Sequence, residues 1–199
     1  DIFYYRTIQK LYDNVLSKNL DRKIEIKTEQ GMLNGEVPLL PIQEWYLETN
    51  FAFTNYWHPS FLLKVSTLDI DKLKISINKL VEYHDAFRLR YKKSKNRHYI
   101  QYYDTNIEVE ELKVLDINTL SLEENTEEFT KKLSEIFAEW QSPFDIEKGP
   151  IYSIGYIHGY RDNSARIYIA AHHLIVDLVS WKILAEDLRT LYNEEKLVN

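Results

Sequence analysis

Two apolar runs, "IYSIGYIHGY" (151–160) and "ARIYIAAHH" (165–173), stand either side of a short polar turn, "RDNS" (161–164). Such runs, rich in β-branched and aromatic residues and bounded by turn residues, read as paired central strands. A sheet built on them must bury its faces against other layers, and the rest of the chain supplies those layers.

Helical periodicity places Leu73, Ile77, Leu80, Val81 and His84 on one face of "DIDKLKISINKLVEYHDAF". A second helix is expected after the capping-box pattern Ser121–Glu124, with Phe129, Leu133, Ile136, Phe137 and Trp140 as its buried stripe, and "PFDIEKGP" ends it. A last amphipathic helix carries Val179, Ile183, Leu184, Leu188, Leu191 and Tyr192. "SFLLKVS" and "IEVEELKVLDI" read as strands, and "FRLRYKK" with "RHYIQYYD" as a hairpin turning at Ser94 to Asn96. Pro41 suits the first turn of a helix through "PLLPIQEWYLETNF". Ahead of it, "DRKIEIKTEQGMLNGEV" is polar, holds two of the five glycines and reads as a linker. The opening residues carry Ile8, Leu11, Tyr12 and Val15 at helical spacing behind a capping Thr7. The expected fold class is therefore α/β, a sandwich with a mixed β-sheet flanked by helices.

Net charge is −6, with lysine and arginine scattered among acids, which argues against a nucleic-acid surface. No apolar run approaches the roughly 20 residues of a membrane span, so no membrane partner is expected. Absence of cysteine excludes disulfides, a thiolate nucleophile and a cysteine-based zinc site, and fits a cytoplasmic location. The chain starts at Asp1 and its single methionine is Met32, so it is expected to be a piece of a longer polypeptide.

The stretch "YIAAHHLIVDLVSW" (168–181) puts two histidines and an aspartate inside an apolar run. If the strand continues through them, alternation places His173 on the face of Ile167, Ile169 and Ala171 and turns His172 the other way. Two rings on opposite faces cannot share one metal, so no metal site is expected. His172 reads as a core histidine satisfied by the backbone. His173 falls at a strand's carboxyl end, where α/β sheets place ligands, and imidazole exchanges protons near neutral pH. Asp177 either caps the last helix or pairs, buried, with Arg88 or Arg90. Ser180 is a conceivable nucleophile, but no glycine elbow surrounds it and its place in a first helical turn suits capping.

These residues resemble the condensation superfamily of nonribosomal peptide synthetases. "HHLIVDLVSW" resembles its His-His-x-x-x-Asp signature; "HDAFRLRY" (84–91) and "FDIEKGPI" (144–151) resemble two further motifs. "PIQEWY" (41–46) resembles the opening of epimerization members, with Tyr46 for the usual Phe, and "VSWKILAEDL" (179–188) the tail of their histidine motif. "DIFYYRTIQKL" resembles the last helix of a carrier (thiolation) domain. The implied layout is a carrier helix at 1–17, a linker at 18–35 and the N-terminal lobe of an epimerization domain at 36–199, in a chloramphenicol-acetyltransferase-like pair of lobes.

The resemblance implies an isomerase that inverts the α-carbon of an aminoacyl or peptidyl thioester, from L to D, in the making of peptide natural products such as antibiotics. The thioester would ride on a carrier's 4'-phosphopantetheine arm, with no cofactor bound by the lobe directly. By the family's pattern His173 is the catalytic proton carrier. His172, Asp177 and Arg88 support it, the last two as a pair, and Leu178, Ser180 and Trp181 line the substrate channel. A glutamate from the C-terminal lobe, absent from this chain, would be the second proton carrier, so the lobe alone is expected to be inactive. Partners would be the carrier, the missing lobe and adjacent synthetase domains. Where the family has glycine this chain has Leu178, which narrows the channel or weakens the site. Peptide-bond formation by a condensation domain and a non-catalytic carrier-docking lobe are the alternatives; the first usually opens on a different motif, and Leu178 suggests the second.

Overall fold

A computed structural model describes residues 4–17, 31–95, 98–106, 109–194 and 197. The chain divides into two compact units, Asp1–Met32 and Leu33–Asn199. In the first, the Thr7 side chain accepts from the Lys10 amide as expected and opens helix α1 (Ile8–Leu11), which widens into a π-type turn over Tyr12–Leu16. Most of the expected linker, residues 18–30, lies outside the described residues; its end, Gly35, takes a positive φ of 80° and begins the first strand.

The second unit runs β1 (Gly35–Val37), α2 (Pro41–Glu48), β2 (Ser60–Ser66), α3 (Ile70–Tyr83), β3 (Leu89–Lys93), β4 (Tyr99–Tyr103), β5 (Lys113–Asp116), α4 (Glu127–Gln141), β6 (Tyr152–His158), β7 (Ser164–Ala171) and α5 (Leu178–Tyr192). A small antiparallel sheet has the order β1-β4-β3, and a larger mixed sheet has the order β2-β7-β6-β5, with β5 and β6 parallel. The two apolar runs pair antiparallel in the larger sheet, Ile154 opposite Ile169 and Tyr156 opposite Ile167.

Alternation divides β7 between two cores. Ile167, Ile169 and Ala171 join Tyr152, Ile154 and Tyr156 of β6 against Leu73, Ile77 and Leu80 of α3 and Leu184, Leu188 and Leu191 of α5. Tyr168 and Ala170 face the other way, with Ile157, toward Phe129, Leu133, Phe137 and Trp140 of α4. Phe137 stacks on Tyr168 at 4.3 Å between ring centres. A side chain at Gly155 would run into the Trp140 indole, so this strand position has to be bare. Each of these large apolar side chains contributes roughly 1.5–3 kcal/mol on burial. Helices on both sides thus cover the mixed sheet, which is the expected α/β sandwich.

The structure corrects four local expectations. Helix α4 starts at Glu127 and not after Ser121: Thr126 caps it by accepting from Phe129 N, whereas Ser121 sits in a left-handed conformation at φ 53°. The acid that suggested the cap binds Arg161 instead: Glu124 Oε1 accepts from Arg161 N at 2.8 Å, beside Glu123 Oε1, which accepts from Arg161 Nη1 at 3.3 Å. The strand expected in "IEVEELKVLDI" shrinks to Lys113–Asp116. His84 is the C-cap of α3, where it bonds Asp187 at 2.8 Å, rather than part of its apolar face. In α5, Val179 and Ile183 stand exposed, because the first turns of the helix reach past the edge of the core that Leu184 enters.

Candidate active site

Strand β7 ends at Ala171, and the histidines follow in a tight turn rather than continuing the strand. The turn is fastened by backbone bonds from three directions. His172 N donates to Ile151 O (2.8 Å), His173 N to Trp57 O (2.7 Å) and Ile175 N to His172 O (3.0 Å). The Leu174 carbonyl accepts from Gln43 Nε2 (2.8 Å) and from Tyr91 Oη (3.2 Å). Gln43 is itself fixed at the start of α2, where its Oε1 accepts from Leu40 N (2.8 Å). Burial pushes the Tyr91 phenol well above its ordinary range, so it remains a neutral donor.

The two imidazoles are held in opposite tautomers. Leu174 N donates to His172 Nδ1 (3.2 Å), so the ring proton sits on Nε2, which donates to the Thr54 carbonyl (2.9 Å). His172 is fully buried, and desolvation, with smaller contributions from His58 and His173, lowers its pKa to about 4. For His173 the neighbour of Nδ1 is the Val176 carbonyl at 2.8 Å, which can only accept. Nδ1 therefore carries the proton, and Nε2 keeps a lone pair that no hydrogen bond among the described residues occupies. The Trp57 indole lies 4.4 Å from the half-buried His173 ring, tilted by 42°.

The sequence model of the family described as "Condensation domain" matches residues 33–198. The chain belongs to the condensation-domain family. Its relatives are nonribosomal peptide synthetases. It is 40% identical over 199 residues to N-(5-amino-5-carboxypentanoyl)-L-cysteinyl-D-valine synthase of Penicillium rubens, covering 99% of this chain and 5% of that protein. It is 34% identical over 195 residues to gramicidin S synthase 1 of Brevibacillus brevis, covering 98% of this chain and 16% of that protein. The chain thus spans a small part of the curated relatives it matches. Among solved structures, the epimerization domain of the third module of tyrocidine synthetase B superposes with a TM-score of 0.71 at 28% identity, over 87% of this chain and 38% of that one. The first condensation domain of the calcium-dependent antibiotic synthetase superposes at 0.68 with 14% identity, a likeness of fold.

Within this condensation-family chain the expected pairing of Asp177 with Arg88 does not form. Asp177 is exposed and caps α5: its Oδ1 accepts from Ser180 N (2.8 Å) and Ser180 Oγ (2.7 Å), while Ser180 Oγ accepts from Asp177 N (3.1 Å). These hydrogen bonds hold the Asp177 carboxyl below its usual range. Arg88 is buried in the turn after α3, paired with Asp85 and donating to the carbonyls of Leu33 (3.0 Å) and Asp104 (2.9 Å). Asp177 and both terminal nitrogens of Arg88 find partners close by, and only the buried Arg88 Nε has none among the described residues. Ser180 is accordingly engaged in the cap, and Trp181 packs on Phe61 at 5.0 Å. Leu178 opens α5 with 86% of its surface exposed.

Four residues that hold this site were not singled out in the sequence. Gln43 lies inside "PIQEWY", where a buried amide was the available signal; Tyr91, Thr54 and Trp57 gave none, because their contacts are long-range. Among the described residues no group of three or more histidine, aspartate or glutamate side chains could hold a metal ion, and no helix is long and apolar enough to cross a membrane.

Proposed function

We propose that this chain is part of an epimerization unit that inverts the α-carbon of an aminoacyl or peptidyl thioester. The observation that carries the proposal is the tautomer of His173. Its Nδ1–H is anchored on Val176 O, which presents Nε2 as a base at the end of β7. In the forward step the Cα–H bond breaks, the proton passes to Nε2, and the electron pair is delocalised into the thioester carbonyl. A second acid on the opposite face then supplies a proton to form the new Cα–H bond. By the family's pattern that acid is a glutamate of a second lobe, outside this chain. The buried neutral His172, with both nitrogens engaged, takes no part in the transfer.

Two comparisons support the reading. The solved epimerization domain shares 28% identity, twice that of the condensation-domain structure named above. The relative from Penicillium rubens is named for a product with a D-valine. We further propose that the thioester arrives on the 4'-phosphopantetheine arm of a carrier domain, and that residues 1–17 are the last helix of such a carrier.

The test uses the two-lobe protein with an L-aminoacyl carrier in deuterated water. Deuterium incorporation at Cα together with D-product is expected, and His173→Ala should reduce exchange at least 1,000-fold, the upper range of a general base's contribution. Peptide-bond formation without exchange would replace this reading with a condensation domain. Carrier binding with neither reaction would replace it with a docking lobe.

A further inference from the structure

The loop between α2 and β2, "TNFAFTNYWHP" (49–59), is more aromatic than a solvent-facing connection requires. With the end of α2 it encloses a cleft of about 510 Å³ lined by Trp45, Tyr46, Phe51, Ala52, Phe53, Tyr56 and Trp57. That volume falls within the range of small-ligand sites. No lining residue carries a charge at neutral pH, and Trp45, Phe53 and Tyr56 are 54, 79 and 74% exposed.

The loop is also built rather than loose. The Thr54 carbonyl accepts both the Tyr46 hydroxyl (2.9 Å) and His172 Nε2 (2.9 Å). Tyr56 N donates to Phe53 O (2.9 Å), and Asn55 Oδ1 accepts from Ile146 N (3.0 Å). Tyr46 stacks on Trp57 at 4.3 Å between ring centres. Trp57 in turn is shared: it lines the cleft and lies 4.4 Å from the His173 ring.

We propose that this cleft receives the side chain of the substrate's reacting residue and selects bulky apolar residues over charged ones. The inference rests on the epimerase reading for which carbon reacts. The His173 ring centre lies 4.4 Å from the Trp57 indole, so a carbon that reacts at this imidazole stands beside one wall of the cleft. Seating a carboxylate or ammonium group against seven uncharged residues costs hydration that none of them replaces, whereas an apolar side chain gains by leaving water. His172 acquires a role here as a positioning residue, since its Nε2–H pins the loop that forms the cleft.

Binding to the 199-residue chain, followed by the indole N–H resonances of Trp45 and Trp57, tests this apart from catalysis. The probes are N-acetylcysteamine thioesters of L-valine, L-phenylalanine and L-aspartate. The valyl and phenylalanyl thioesters are expected to shift both resonances and to bind at least tenfold more tightly than the aspartyl thioester. Phe53→Ala, at a position too exposed to endanger folding, should weaken the apolar ligands at least threefold and leave the aspartyl affinity unchanged. Equal binding of all three thioesters, or no shift at either indole, would overturn the proposal. Selective binding without deuterium exchange in the two-lobe protein would retain the cleft and discard the epimerase reading.

Discussion

His172 and His173 are adjacent in the chain, but their surroundings differ as a protein interior differs from a surface. The ring of His172 has no exposure, both nitrogens bonded and a pKa lowered to about 4. The His173 ring has one nitrogen bonded, one without a hydrogen bond among the described residues and an indole beside it. One side of the turn is sealed and the other open. For the proton carrier proposed above the lesson is one of preparation: the sealed ring and the backbone around it fix the loop, so that the open ring can be held in one tautomer at little further cost in entropy.

The same contrast separates Arg88, sealed in its turn, from Asp177, exposed at the start of α5. Replacing Arg88 strands a carboxylate and two carbonyls, so Arg88→Met should lose about 3 kcal/mol or more of stability in urea titration. Asp177→Ala should lower the melting temperature by far less, as the loss of one exposed cap does. The double variant is expected to show the sum of the two effects. A clear departure from additivity would mean that the two side chains are coupled after all.

His172 offers the next largest effect, and its sign follows from the direction of the shift. A pKa of about 4 in the folded chain, against about 6.5 unfolded, means that the unfolded state binds the proton more readily. The stability associated with the neutral ring is therefore complete above pH 6.5 and is lost as pH falls toward 4, by about 3 kcal/mol at most. In His172→Gln that part of the pH dependence should vanish, leaving a flatter profile between pH 6.5 and 4. An unchanged slope would show that the ring is not sealed.

Most of the sandwich was legible in the sequence because apolar periodicity is local. "SFLLKVS", the hairpin strands, the paired runs and the last helix fall where the alternation and 3.6-residue spacing put them. The α4 cap was misplaced because Glu123 and Glu124 belong to Arg161, 37 and more residues away, which no capping rule registers. At the site, the parity argument assumed a strand running through the histidines, but the strand stops at Ala171, and it is the turn's contacts that leave His172 buried and His173 half-buried. The tautomers were not legible, since they depend on Thr54, Val176 and Leu174 meeting the rings in three dimensions. The Asp177–Arg88 expectation followed from treating a carboxylate in an apolar stretch as buried; the stretch turns outward at that point, and the helix itself supplies the partners.

Leu178 carries the smallest expected effect on stability and the sharpest test of the open side. It begins α5 with 86% of its surface exposed and no place in the core clusters, so Leu178→Gly should cost no more than about 1 kcal/mol, chiefly the backbone freedom that glycine adds to the unfolded chain. If the open side is the path of the substrate, the same substitution should raise the deuterium exchange rate severalfold, because a glycine at this position leaves more room than a leucine. The two measurements together separate obstruction from structure. An unchanged exchange rate at unchanged stability would place Leu178 outside the path, and a large loss of stability would mean that this end of α5 is not open.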